Sequence, residues 1–299
     1  MIPAVKMQDL AVEMAPLGRQ FWEDAWRRAN EASFLKTTQE IDPKAWDRFY
    51  DEVSDIYLDL WGQPETLGRA VVDELLANGV VGPGASVLDV GCGPGTLAIP
   101  LAKAGARVTA LDNSAGMLAA LKRQSFSQQL EITTINSNWR DHRPARKSAL
   151  ALAGFFPPAL SPEGLARLES WSSGHCALTL GTGHEPYEFR RELWGEVLQM
   201  PFHKGSHHLS CAVNYLIAAE RRPNLRHLHW TSRFCQPVEK VARFYRSYFG
   251  IFGRRGPEVD GKIASVLRRH CHDGMVLAQG SVQVAVLWWA CPRRLAALA

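Results

Sequence analysis

The most constraining feature of this chain is the segment Val87-Leu88-Asp89-Val90-Gly91-Cys92-Gly93-Pro94-Gly95-Thr96. A short apolar run, typical of a buried strand, ends in closely spaced glycines, and a stretch that predicts a helix follows at once. Glycine lets the backbone turn sharply and approach a ligand closely, and the start of a helix offers free N–H groups. The segment therefore predicts a strand, a turn able to hold a ligand, and a helix.

The spacing of the glycines indicates which ligand suits the turn. Gly91, Gly93 and Gly95 follow a G-x-G-x-G pattern, whereas dinucleotide-binding turns follow G-x-G-x-x-G. Asp89 shortly precedes them, and a carboxylate there would repel a pyrophosphate but can accept the ammonium group of an amino-acid ligand. The pattern favours S-adenosylmethionine (SAM) over NAD. A glycine-rich turn alone also occurs where no ligand binds.

A second acidic residue follows the next strand-like run. Asp112 comes directly after 107–111, whose sequence is RVTAL. An acid at this point can accept both hydroxyls of a ribose. The alternative is that Asp112 caps the following helix, although Ser114 is better placed for that. The sequence therefore favours a ribose-binding role for Asp112.

Strand-like and helix-like runs alternate as far as Gly181, which predicts a parallel sheet with helices on both faces. One of these helices is expected to begin at Pro162 with Ser161 as its N-cap. Beyond Gly181 the alternation loosens. The patterns there predict helices at 187–199, 209–220, 238–252 and 259–270, and strands at 225–234 and 282–290.

The stretch VLDVGCGPGTLAIPLAKAGARVTALDNSAGMLAAL resembles the class I SAM-dependent methyltransferase family over about residues 84–125. The resemblance implies an α/β fold: a Rossmann-like, seven-stranded, mostly parallel sheet with helices on both faces and an antiparallel last strand near one edge. It also implies that SAM is the cofactor, bound across the C-terminal ends of the first, second and fourth strands. The implied activity is transfer of the SAM methyl group to an acceptor.

The same resemblance assigns the glycine-rich turn to the methionine part of SAM. It matches Asp89, Gly91, Gly93 and Gly95 to the loop that holds this part, and Cys92 lies within that loop. These five residues are therefore candidate cofactor-binding residues.

The remaining candidate cofactor-binding residues follow the second and third strands. Asp112 matches the family's ribose acid, and Asn113 and Met117 match positions that flank the adenine. Asn138 lies where a polar side chain often meets the adenine amino group. Trp139 either stacks on the adenine or fills the edge of the core, and both interpretations stay open.

The segment after the fourth strand departs from a related pattern. Phe155-Phe156-Pro157-Pro158 superficially resembles the Asn/Asp-Pro-Pro-aromatic motif of enzymes that methylate amide or base amino groups. The essential polar residue is missing, because Phe156 precedes the prolines. This departure argues against amino-group methylation of DNA or glutamine.

The predicted organisation has two parts. Residues 1–62 are expected to form an N-terminal helical lid, and residues 63–299 the methyltransferase domain with helical insertions at about 183–224 and 235–275. We expect 235–275 to pack as a helical piece of its own, and both insertions to form a wall over the C-terminal ends of the strands. Trp46, Tyr50 and Tyr57 of the lid either close the SAM pocket or pack the lid itself.

Two histidine clusters are open to several interpretations. His203, His207 and His208 form one cluster, and 270–272 (His-Cys-His) forms the other. They suit a metal, a general base, helix capping or substrate contact. No carboxylate or cysteine pair completes a metal set, so we predict no metal and assign no catalytic residue.

Composition limits the partners and the compartment. The formal charge of +4 comes with scattered arginine pairs and no long basic run, so nucleic acid is an unlikely partner on electrostatic grounds and a small-molecule acceptor is expected. The alternatives are an RNA methyltransferase and a SAM-binding protein without transferase activity. Neither a signal peptide nor a membrane helix is predicted, and the six unpaired cysteines predict buried, reduced thiols in a cytoplasmic protein.

Overall fold

The structure is a computed structural model that describes residues 18–61, 64–202 and 207–292. One central sheet runs through these residues. Its strands are β1 (Ser86–Val90), β2 (Arg107–Asp112), β3 (Ile132–Asn136), β4 (Ser148–Gly154), β5 (Ser172–Gly181), β6 (Asn224–Pro237), β7 (Cys271–His272) and β8 (Met275–Ala290). Residues 1–17 of the predicted lid lie outside the described residues.

The strands are arranged in the order β3-β2-β1-β4-β5-β8-β6, with the two-residue β7 paired to β8 outside this path. The first five strands of the chain pair in parallel, whereas β8 is antiparallel to both β5 and β6. The prediction of a mostly parallel α/β sheet with an antiparallel last strand near one edge is confirmed.

Helices cover both faces of the sheet, and several of them precede its first strand in the chain. They are α1 (Arg19–Glu31), α2 (Phe34–Ile41), α3 (Ala45–Val53), α4 (Pro64–Ala77), α5 (Ala98–Lys103), α6 (Ala115–Ser127), α7 (Pro162–Trp171), α8 (Glu188–Leu198), α9 (His207–Ala218), α10 (Val238–Gly250) and α11 (Pro257–Arg269). Short 3₁₀ turns lie at Leu58–Trp61 and Pro157–Ala159. No helix of the described residues has the length and apolarity to cross a bilayer.

Capping side chains fix two of the helix starts that adjoin the sheet. Ser161 accepts a hydrogen bond from the Gly164 N–H at 3.0 Å, so α7 begins at Pro162 as predicted. Ser114 accepts from the Met117 N–H at 3.0 Å and caps α6. A serine oxygen satisfies one of the free N–H groups at each helix start.

The alternating side chains of the strands build two apolar layers. Val87 and Leu152 face the layer that α4, α5 and α6 complete, and Leu88 and Ala151 face the layer that α1, α7 and α9 complete. Because both faces of the sheet are covered, its central strands are apolar on both sides.

A third apolar cluster joins segments that the sequence analysis separated. Phe49 of α3 packs with Phe189 of α8, Phe249 of α10 and Val266 of α11. The expectation that 235–275 packs as its own helical piece is therefore wrong, since its helices share a core with the lid and with the first insertion. Aromatic and β-branched side chains on amphipathic helices fit a shared core of this kind.

The last two long strands extend further than predicted. β6 and β8 pair from Asn224–Trp288 to Pro237–Met275, whereas the sequence predicted 225–234 and 282–290. Burial is irregular along this ladder, so the apolar runs mark only part of it. Cys235 on β6 is exposed, which corrects the expectation of buried thiols at that position.

Candidate functional site

A cavity of about 260 Å³ lies at the C-terminal ends of β1, β2 and β4. The lid helices α2 and α3 supply its outer wall. Nine of the candidate residues line it: Asp89, Gly91, Cys92, Gly93, Asp112, Asn113, Met117, Asn138 and Trp139. The C-terminal ends of parallel strands are where open α/β sheets bind ligands, so the structure brings these candidates together at a plausible place.

All three glycines of the turn have a positive φ, of 67° at Gly91, 53° at Gly93 and 98° at Gly95. A Cβ atom at Gly91 would lie 2.2 Å from Cδ2 of Phe156, so this glycine is required by protein packing. A Cβ atom at Gly93 would meet no protein atom within 4 Å. Gly93 thus leaves room at the cavity for something other than the chain itself.

The last glycine of the turn has a different environment. Gly95 is not among the described residues that line the cavity. A Cβ atom there would lie 2.4 Å from Cδ1 of Leu121 and 3.1 Å from Cγ1 of Ile99. The absence of a side chain at Gly95 therefore allows the turn to pack closely on α6.

Asp89 is only 1% exposed, and its Oδ2 has no hydrogen-bond partner among the described residues. The pKa of its carboxyl is raised to about 7, mainly by burial and also by the nearby charge of Asp112, against the lowering effect of a hydrogen bond from the Ala98 backbone. Keeping this buried carboxylate charged costs about 4 kcal/mol. A cationic group placed against Asp89 would offset that cost.

Asp112 fastens the glycine-rich turn to the end of β2. Its Oδ2 accepts from the Gly93 N–H at 2.8 Å, and its Oδ1 accepts from the Ser114 N–H at 2.9 Å. Burial raises the pKa of Asp112, against these hydrogen bonds, which lower it. Sequence reasoning missed this fastening role. Each carboxylate oxygen retains a further acceptor site, so ligand hydroxyls remain compatible with it.

The two candidate asparagines already have protein partners. The Asn113 amide donates to Oδ1 of Asp47 at 2.7 Å, which links the candidate site to α3. Oδ1 of Asn138 accepts from the Arg140 N–H at 2.9 Å and closes a turn. The side chain of Asn138 is exposed, and its amide nitrogen can still donate hydrogen bonds.

Trp139 and Met117 form apolar walls of the cavity. Trp139 packs edge-on against Phe156, with ring centroids 5.7 Å apart, and against Trp171, with centroids 6.2 Å apart. Met117 is buried beneath the start of α6. Trp139 therefore fills the edge of the core and lines the cavity at once, so the two interpretations of this residue are compatible.

Helix α3 of the predicted lid contacts the start of α6 next to the site. Asp51 of α3 accepts from the Ser114 hydroxyl at 2.6 Å and from the Gly116 N–H at 3.2 Å, at the N-terminus of α6. Negative charge is favourable at a helix N-terminus. Trp46, Tyr50 and Tyr57 of the lid line the cavity, and burial raises the pKa of Tyr57 to about 12. That phenol therefore stays protonated at neutral pH.

A second cavity, of about 930 Å³, adjoins the first. Six residues line both: Phe34, Leu35, Trp61, Leu67, Phe155 and Pro157. Trp194 from the first predicted insertion and Phe252 from the second also line the larger cavity. Both insertions thus contribute walls beside the C-terminal ends of the strands, as the sequence predicted.

The residue at the boundary between the cavities has a strained backbone. Phe155 has φ of 51°, a conformation that costs a non-glycine residue about 1–3 kcal/mol. Its N–H donates to the Thr179 carbonyl at 2.8 Å, and its ring lies 5.6 Å from that of Trp61. The sequence of this segment showed only that the polar residue of the amino-group motif is missing. The backbone conformation of Phe155 and its place between the cavities were not predicted.

The described histidines do not assemble a metal site or a base. Within the described residues no three His, Cys, Asp or Glu side chains are grouped to hold a metal, and His203 lies outside those residues. Burial lowers the pKa of His208 to about 4, and its Nδ1 accepts from the Trp26 indole at 3.3 Å. His208 is therefore neutral with its proton on Nε2. His270 is held by Glu192 at 3.0 Å.

A known family model matches the part of the chain that forms this site. Residues 87–156, which contain the glycine-rich turn and both acids, match the family model described as "Methyltransferase domain". Residues 87–156 of the chain are thus similar to a methyltransferase domain. The matched segment runs from β1 to Phe156, beyond the end of β4, and it contains most of the residues that line the first cavity.

Individual relatives match the chain only in part. A ubiquinone biosynthesis O-methyltransferase of Vibrio vulnificus is 35% identical over 113 residues, which are 36% of this chain and 47% of that protein. An uncharacterized protein of Haemophilus influenzae is 36% identical over 104 residues, 34% of this chain and 36% of that one. The chain thus spans less than half the length of these relatives.

Two solved structures are similar in outline. YcgJ of Bacillus subtilis has a TM-score of 0.47 at 11% identity, covering 74% of this chain and 97% of that chain. Magnesium protoporphyrin IX methyltransferase of Synechocystis with bound S-adenosylhomocysteine has a TM-score of 0.42 at 15% identity, covering 93% and 99%.

Proposed function

We propose that this protein transfers the methyl group of SAM to a small-molecule acceptor. The observation that carries the proposal is the buried, unpartnered carboxylate oxygen of Asp89 beside the open space at Gly93. A cationic amino-acid group suits that pair of features, because it would offset the cost of the buried charge. The adjoining second cavity gives an acceptor a place next to the cofactor.

The cofactor roles follow the residues that line the first cavity. Asp89 and the turn through Gly91, Cys92 and Gly93 would hold the methionine part of SAM, and Asp112 the ribose. The wall formed by Asn113, Met117, Asn138 and Trp139 would enclose the adenine. Gly95 contributes by letting the turn pack on α6.

The lid, proposed as residues 1–62, would close the cofactor site from outside. Trp46, Tyr50 and Tyr57 stand on its described part and line the first cavity. Burial raises the pKa of Tyr50 and Tyr57. Their phenols can therefore donate hydrogen bonds at neutral pH, but they cannot act as the base that removes a proton from the methyl acceptor. Their role is to exclude water and to hold the ligands in place.

The chemistry needs little more than positioning. When bound, SAM supplies a methyl group on a positively charged sulfur, which an acceptor lone pair attacks as the carbon–sulfur bond breaks and S-adenosylhomocysteine leaves. Phe155, Trp61 and Pro157 line both cavities and would set the approach of the acceptor to the methyl group. Fixing two reactants in contact supplies a large part of the rate. The named activity of the Vibrio vulnificus relative supports a small acceptor methylated on oxygen.

The direct test is calorimetric titration of the full chain. We expect SAM and S-adenosylhomocysteine to bind with micromolar dissociation constants, and NAD to show no binding at the same concentrations. The G-x-G-x-G turn and the carboxylate of Asp89 underlie this expectation, because a pyrophosphate would be repelled there. NAD binding with SAM excluded would overturn the proposal.

SAM binding is also expected to depend on pH through Asp89. The pKa of about 7 means that this carboxyl is increasingly protonated below pH 7, and a protonated carboxyl cannot pair with the ligand ammonium. The affinity should therefore fall by roughly twentyfold from pH 7.5 to pH 5.5. Calorimetry across this range provides the measurement.

The matched control for this pH dependence is Asp89→Asn, which keeps the shape and removes the titrating group. Its affinity should be weak at pH 7.5 and change little at pH 5.5. The pKa of Asp112 is raised too. If the SAM affinity of Asp89→Asn depends on pH as steeply as that of the wild type, the effect is due to Asp112 and not to Asp89.

A further inference from the structure

The charged side chains that line the described part of the second cavity are all basic. Among the described residues that line it there is no aspartate or glutamate, whereas Arg190, Arg254, His184, His207 and His208 all line it. The remaining described walls are mainly apolar and aromatic. An apolar cavity with cationic and donor groups but no carboxylate favours an apolar ligand with negative charge.

Unsatisfied donors give the same indication. The described residues contain four buried polar side-chain atoms without a hydrogen-bond partner: Asp89 Oδ2, Arg190 Nε, Trp194 Nε1 and Trp230 Nε1. The only acceptor among them belongs to the first cavity, and the three donors belong to residues that line the second. A buried donor without a partner costs about 1–3 kcal/mol, so a ligand oxygen would be favourable beside these groups.

Arg190 is the best-positioned of these groups. Its guanidinium donates to the Leu60 carbonyl and lies 4.8 Å from the centre of the Tyr187 ring, so its orientation is fixed. The ion pair with Glu185 has a closest N–O distance of 3.5 Å, longer than the 2.7–2.9 Å typical of a charge-assisted hydrogen bond. Glu185 is thus an ion-pair partner of Arg190 but leaves the Nε of Arg190 without a hydrogen-bond partner among the described residues.

His208 adds a donor among the residues that line the second cavity. Because its Nδ1 accepts from Trp26, its Nε2 carries the proton and can only donate. The low pKa of about 4 keeps the ring neutral at physiological pH. This neutral donor adds to the preference for a ligand oxygen without attracting a cation.

We propose that the second cavity binds the methyl acceptor as an apolar organic anion, whose carboxylate or other anionic oxygen group is held by Arg190 with the indole N–H of Trp194. This inference rests on the proposed function for the identity of the ligand as acceptor. The binding preference itself does not require methyl transfer, so the two can fail separately.

The test compares matched probes in the presence of S-adenosylhomocysteine. 1-Pyrenebutyrate and 1-pyrenebutanol share a ring system and chain and differ in the anionic group, so fluorescence titration isolates the effect of charge. We expect the carboxylate to bind at least about tenfold tighter than the alcohol, as an added charge-assisted hydrogen bond would produce. Equal affinity of the two probes would overturn the proposal.

Substitutions show which residues cause the preference for the carboxylate probe over the alcohol. Arg190→Met should reduce the carboxylate-to-alcohol preference to about one, and Trp194→Phe should reduce it severalfold while keeping the ring. Since Arg190→Met leaves Glu185 buried beside a neutral side chain, the double variant Arg190→Met/Glu185→Gln guards against misfolding. The control is Arg243→Met, whose arginine pairs with Asp55 on the exposed surface and should leave the preference unchanged.

The outcomes separate the two proposals. A preference for the carboxylate that persists in the folded double variant would show that Arg190 does not hold the anion, and would overturn the inference even if SAM binds normally. Failure of SAM and S-adenosylhomocysteine to bind, with the anion preference and its dependence on Arg190 intact in their absence, would instead overturn the proposed function and leave an anion site.

Discussion

Gly93→Val is expected to abolish SAM binding, a loss of at least about a hundredfold in affinity, in a chain that still folds. Gly93 lines the first cavity, and a Cβ atom there meets no protein atom within 4 Å. The Cβ atom of the branched side chain would therefore enter ligand space instead of contacting the protein. Its φ of 53° adds backbone strain of about 1–3 kcal/mol. Calorimetric titration with SAM measures the loss.

The control for backbone strain is Gly84→Val. Gly84 also has a left-handed conformation, with φ of 76°, and open space around its Cβ position. It precedes β1, at the end of the strand away from the site. Gly84→Val should therefore lower the melting temperature by a similar amount and keep the SAM affinity. A folded Gly93→Val variant with wild-type affinity would contradict the placement of the methionine part.

Gly91 is unsuitable for the same test. A Cβ atom there would lie 2.2 Å from the Phe156 ring, so even Gly91→Ala would force the chain after β4 to move. Loss of binding in that variant would report a damaged fold as readily as a blocked site. The contrast shows that two glycines of one turn have different reasons to be glycine.

The sequence predicted the features whose causes are local. The turn at 91–95 and the caps of α6 and α7 depend on residues a few positions apart, so their patterns are readable in one segment. Asp112 was predicted as a candidate because it directly follows the second strand-like run, and the pairing of β1 with β2 brings it close to the turn. The parallel pairing of the first five strands followed from the alternation of strands and helices.

The features it missed depend on contacts between distant segments. The Gly93 N–H reaches Asp112 only once β1 and β2 pair. The second cavity needs walls from the predicted lid, α8 and the middle of β8 together, and no single segment has a pattern that marks it. The strained φ of Phe155 likewise arises where β4 ends against β5. Tertiary packing, rather than local propensity, sets these positions.

Asp112→Ala is expected to weaken SAM binding by about 1.5–3 kcal/mol, or roughly tenfold to more than a hundredfold. The substitution removes the acceptor for the Gly93 and Ser114 N–H groups together with the proposed acceptor for the ribose. Asp112→Asn should lose less, because its amide oxygen still accepts one of these N–H groups. Titration of both variants gives the ranking, and a melting curve checks that each remains folded.

Loss of affinity in Asp112→Ala has two sources, because the carboxylate both fastens the turn and faces the proposed ribose site. Titration with S-adenosylhomocysteine and with its 2′,3′-dideoxy analogue separates them. If Asp112 accepts the ribose hydroxyls, the wild type should prefer the hydroxylated ligand and the alanine variant should lose most of that preference. If Asp112 acts only by holding the Gly93 N–H at 2.8 Å, both ligands should weaken equally in the variant. An undiminished preference for the hydroxylated ligand in Asp112→Ala would assign ribose recognition to another residue, while the weakening itself would still show that a fastened turn is needed for the cofactor.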